Sequence, residues 1–144
     1  DRSAPAVTLR VRLVVGLALV GLHGGAAAQG CGDALDKGVA RGESQSHVVA
    51  WRAHPGPIVV SRHFALDIVV CPKRGATPAQ SLAVDATMPA HRHGMNYRPT
   101  ITAAGAGRFR AEGLMLHMPG AWEFTFDIVA ADGTERIRVP YELQ

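Results

Sequence analysis

All four methionines of the chain (Met88, Met95, Met115 and Met118) and three of its seven histidines (His91, His93 and His117) fall between positions 88 and 118. They form two short motifs, Met88-Pro-Ala-His91-Arg92-His93-Gly94-Met95 and Met115-Leu-His117-Met118-Pro119-Gly120-Ala-Trp122, each turning on Pro or Gly. Imidazole nitrogen and thioether sulfur make a borderline-to-soft donor set. Such a set suits copper, and Cu(I) above all, whereas calcium or magnesium would call for carboxylates. His91 and His93, two apart, project to one side if that segment is extended. A third nitrogen from His117 and a sulfur from Met88, Met95 or Met115 would complete a site. The same residues also admit structural roles. Met118 alternates with Leu114 and Leu116 as core filler would, and Met95 reads equally well as an apolar plug beneath the loop. His47, His54 and His63 are scattered among predicted strand ends and read as structural. A rival use of the first motif is docking, with Arg92, Asn96, Tyr97 and Arg98 as contact residues, since Tyr and Arg are enriched at interface hot spots.

The elements that must carry these motifs are strands. Phe64, Leu66, Ile68 and Val70 alternate with Ala65, Asp67, Val69 and Cys71, and Pro72 closes the run. The same rhythm recurs at 82–86, 109–118, 122–128 and 137–139; with 47–52 and 97–103, seven strands are predicted. Gly-Ala-Gly at 105–107, Pro119-Gly120 and Asp132-Gly133 supply turns, the last being a hairpin signal. No apolar repeat at helical spacing is long enough for a helix between 47 and 144. Short strands with regular turns predict an all-β fold, an immunoglobulin-like antiparallel β-sandwich. Its core would be Trp51, Phe64, Leu66, Ile68, Leu82, Val84, Phe109, Leu114, Leu116, Trp122, Phe124, Phe126 and Ile128.

The first 28 residues read as a secretory signal: Arg10 and Arg12, an apolar run from Leu13 to Leu22, and the small residues Ala26 to Ala28. That run is too short to span a bilayer, and no later segment is apolar enough, so no transmembrane anchor is expected. Gln29 and Gly30 do not make the Leu-small-small-Cys pattern of a lipid-modified cysteine at Cys31. Residues 29–46 read as an arm or linker, and 47–144 as the domain. An even pair of cysteines, Cys31 and Cys71, reads first as a disulfide in an exported chain, with a metal-binding thiol pair as the alternative. Without the leader the net charge falls from +3 to about +1, and no Lys/Arg cluster with interleaved aromatics survives to suggest nucleic acid. Nucleophile elbow, phosphate loop and His-Glu-x-x-His are all missing from the sequence, and the acidic residues are dispersed, so catalysis is not expected.

The stretch Met-Pro-x-His-x-His-Gly-Met at 88–95, followed by His-Met-Pro-Gly-x-Trp at 117–122, resembles the YtkA-like and FixH-like family of small exported or membrane-tethered domains, over roughly residues 47–143. The resemblance implies an immunoglobulin-like sandwich, a periplasmic or extracytoplasmic address, and an association with copper or haem-copper oxidase assembly. The chain departs from the FixH pattern in having no retained transmembrane helix. The expectation is a periplasmic copper-binding carrier, buffer or delivery factor. Its rival is a non-catalytic module docking on an exported haem or copper protein.

Overall fold

Alternation of apolar and polar residues becomes strand after strand in the computed structural model, which describes residues 30–144; the leader read at 1–28 lies outside the described residues. The strands are β1 (Ala40–Glu43), β2 (His47–His54), β3 (Phe64–Pro72), β4 (Ala79–Met88), β5 (His93–Gly94), β6 (Thr100–Ala103), β7 (Arg108–Leu114), β8 (Gly120–Ala130) and β9 (Gly133–Leu143). They form two antiparallel sheets, ordered β1-β2-β3-β7-β6 and β5-β4-β8-β9. The molecule is a β-sandwich. Along β8, Trp122, Phe124, Phe126 and Ile128 point inward while Glu123, Thr125 and Asp127 point outward. Every core residue named from the sequence is buried, and β9 adds Ile137, Val139 and Leu143. The Asp132-Gly133 signal falls where expected, with Ala130 pairing Gly133 across the turn.

Seven strands were expected, and the described residues form nine. The additions are β5, only two residues long, and β1, which lies in the stretch read as an arm. β1 pairs with β2 from Ala40↔Trp51 to Glu43↔Val48. Ahead of it a single 3₁₀ turn, Asp33–Leu35, buries Leu35, and Cys31 is bridged to Cys71 with their Cα atoms 6.0 Å apart. This segment is therefore pinned to the first sheet rather than loosely attached. The expected strand 109–118 stops at Leu114; just before its end Gly113, at a positive φ of 83°, makes a bulge, so that the register shifts between the Leu66↔Ala111 and Phe64↔Leu114 pairs. The strand expected at 97–103 begins only at Thr100.

One buried polar group links the sheets. The His47 ring, 2% exposed, directs Nδ1 at Glu135 Oε2 (2.9 Å) and Nε2 at the Thr77 carbonyl (2.8 Å). Ser44 Oγ donates to the same carboxylate oxygen at 2.6 Å. These hydrogen bonds tie β2 to β9 across the edge of the sandwich.

Candidate functional site

Pairing within the second sheet is what brings the two motifs together. β4 and β8 run antiparallel with Thr87 opposite Glu123, so the end of β4 lies beside the start of β8. The first motif leaves β4 at Met88, makes a 3₁₀ turn over Pro89–His91, passes through Arg92 in the left-handed region, and folds back as β5 with His93 opposite Met88. Met95 N–H then donates to the Ala86 carbonyl at 3.0 Å and closes the hairpin. The second motif is the crossover from β7 in one sheet to β8 in the other. It is fixed from both sides: Ser61 N–H donates to the Leu116 carbonyl at 2.8 Å, and Trp122 Nε1–H donates to the Met118 carbonyl at 2.9 Å.

This geometry gathers three imidazoles at one end of the sandwich. The His93 and His117 rings lie 5.1 Å apart, tilted by 35°, and His91 lies 5.8 Å from His93. Trp122 meets both inner rings nearly at right angles, at 6.1 Å from His93 and 5.6 Å from His117. The Nδ1 atoms of His93 and His117 are both shielded from solvent and have no hydrogen-bond partner. A buried polar nitrogen without a partner is costly and asks for a proton donor or an ion. His91, by contrast, is exposed.

The methionines divide. Met88 is 2% exposed and its methyl reaches the second motif, since a Cβ placed on Gly120 would lie 3.1 Å from Met88 Cε. Met95 packs against the core and lines a groove with Leu82, Tyr97 and Ile101. Met118 also packs on the core, as its alternation with Leu114 and Leu116 implied, and Met115 is half-buried. Among the described residues no three His, Cys, Asp or Glu side chains are placed to hold an ion together. The donors that the geometry gathers are thus His93 and His117, with His91 outside them and Met88 opposite His93 in the β4–β5 pairing. Two imidazoles and a soft sulfur fit Cu(I), which accepts low coordination numbers and soft ligands. Cys31 and Cys71, being bridged, offer no thiolate.

Arg92, Asn96, Tyr97 and Arg98 are all exposed. Tyr97, 44% exposed, stands edge-on to the His63 ring at 5.0 Å. Sequence reasoning assigned Trp122 only to the core and gave Ser61 no part in the site. For Trp122 a signal existed, because it closes the second motif five residues after His117. Ser61 belongs to a distant loop and carried none.

No family model matches the chain, and no curated protein does. A solved structure of a DUF4426 family protein from Pseudomonas aeruginosa PAO1 is similar to it with a TM-score of 0.48 and 9% sequence identity, the match covering 75% of this chain and 96% of that one. None of the described helices is long and apolar enough to cross a membrane.

Proposed function

We propose that the protein is a non-catalytic copper-binding carrier, buffer or delivery factor of the periplasm, related to the YtkA-like and FixH-like domains through its paired His/Met motifs. The observation that carries the reading is the pair of neighbouring imidazoles, His93 and His117, whose enclosed Nδ1 atoms lack any partner. Met88, opposite His93 in the β4–β5 pairing, would supply soft sulfur, and exposed His91 is the arm that would first meet an incoming ion. Trp122 walls the inner side and limits water access, which favours the reduced ion. The bridge between Cys31 and Cys71 suits an oxidising compartment.

Titration of the purified protein with Cu(I) and Cu(II), under reducing and oxidising conditions, tests this reading. One ion bound tightly per chain is expected, with Cu(I) preferred. Binding is lost in the variant carrying His91→Ala, His93→Ala and His117→Ala while its circular dichroism stays that of the parent. Absence of binding above background would overturn it. The rival reading, docking on an exported haem or copper protein, draws on the exposed row Arg92, Asn96, Tyr97 and Arg98. In that case Tyr97→Ala would weaken a complex without touching copper affinity.

A further inference from the structure

A separate cavity opens where the two sheets part beside β1, β2 and β9. It encloses about 680 Å³, within the range of small-molecule sites. Trp51, Ile58 and Tyr141 form its apolar wall, while Lys37, Arg52 and His54 stand around it. None of the lining residues is acidic. Arg52 is engaged by Asp36 at 3.5 Å and Asp67 at 3.4 Å, which leaves Lys37 and His54 without an ion-pair partner among the described residues.

One of the wall residues also carries an unmet donor. Trp51 is 2% exposed, and its Nε1–H is enclosed without an acceptor. Its neighbours are rings, with Phe124 centred 4.9 Å away and Tyr141 6.0 Å away, and an aromatic face accepts an N–H only weakly. The Tyr141 hydroxyl is an O–H donor at neutral pH, as any phenol is, and burial holds it further above its ordinary range. The cavity's lining thus sets Lys37 and His54, neither with an acidic partner among the described residues, beside an apolar wall.

We propose that this cavity binds a small organic carboxylate carrying an aromatic or short acyl body. The body lies against Trp51, Ile58 and Tyr141, the carboxylate faces Lys37 and His54, and a ligand oxygen satisfies the Trp51 N–H as half-buried Tyr141 gives way. The site is independent of the His/Met cluster, since none of its lining residues belongs to either motif.

The test uses the indole N–H signals in a proton–nitrogen correlation spectrum of the ¹⁵N-labelled protein, with Trp122→Phe serving only to tell the two indoles apart. Phenylacetate should shift the Trp51 signal saturably. Acetate, which lacks the body, and phenylacetamide, which lacks the charge, should not. Lys37→Ala should weaken phenylacetate binding about fivefold, the size of one partly exposed ion pair. Ala53→Leu, which fills the cavity from β2, should abolish binding with the rest of the spectrum unchanged. No saturable shift with phenylacetate, an equal response to phenylacetamide, or unchanged affinity in Lys37→Ala would each overturn the proposal.

Discussion

His47 shows how much one buried side chain can require of its surroundings. Its Nδ1 lies against the Glu135 carboxylate and its Nε2 against the Thr77 carbonyl. Glu135 is the partner whose ionisation responds. Its carboxyl is held below the ordinary carboxylate range, first by the hydrogen bond from His47 and then by that from Ser44. A carboxyl depressed in the folded state stabilises the fold above its unfolded pKa, and that contribution is lost as pH falls through the folded value. Glu135→Gln should therefore lower the urea midpoint at neutral pH, with the gap to the parent closing on acidification through the carboxylate range. His47→Ala should cost about 2–3 kcal/mol, because it removes the ring's contacts with the Glu135 carboxylate and the Thr77 carbonyl and leaves a hole where a buried side chain was. A gap of equal size at every pH would show that Glu135 acts through packing alone. The sequence marked His47 as structural, but its carboxylate partner lies 88 positions away, a pairing that only the register of two sheets creates. The candidate site was legible to a similar depth. Clustering singled out His91, His93 and His117 together, whereas which two of them lie innermost, and that Met95 packs against the core, depend on which way β5 folds back.

At the scale of elements, alternation was readable wherever a strand has one face fully in the core, as in β3, β4 and β8. β1 escaped because its inward positions are Ala40 and Gly42, small residues that give no apolar signal, while Arg41 and Glu43 point to solvent. The smallness has a structural reason. A Cβ on Gly42 would lie 2.5 Å from Val139 Cγ2 and 2.9 Å from Ile137 Cγ2, so this is where the edge of the first sheet closes on β9 of the second. Gly42→Ala forces both methyl groups to move, and overpacking of this kind costs about 1–3 kcal/mol. The expected outcome is a lower urea midpoint with an unchanged slope, and restoration of the midpoint when Val139→Ala is added to make room. Failure of the second substitution to compensate would place the strain in the β1 backbone instead. The length of the β7 strand was misjudged for a related reason: the hydrophobic alternation continues through Leu116 and Met118, but the chain there has already left one sheet for the other.

At the scale of the molecule, the sandwich must protect the long open edge at β9 and hold its N-terminal segment in place. β9 exposes Arg136, Arg138, Pro140 and Glu142 along its outer face, a pattern of charges and proline that discourages pairing with another chain. The opposite problem, a first sheet whose edge strand is only four residues long, is met by covalent attachment. The bridge from Cys31 to Cys71 spans 40 positions and secures the segment leading into β1 against the end of β3. On the chain-entropy account, closing a loop of that length contributes about 4 kcal/mol, a large part of the margin of a small domain. The paired variant Cys31→Ser, Cys71→Ser should therefore unfold at markedly lower urea. If the bridge acts mainly by anchoring β1, amide exchange in the variant should quicken first across Ala40–Glu43 and their partners in β2, with β4 and β8 still protected. Since the imidazole cluster is built on β4, β5, the β7–β8 crossover and β8, the copper affinity proposed for it should then persist at urea concentrations where β1 is already open. Loss of copper binding in step with β1 exchange would instead show that the two sheets open as one cooperative unit.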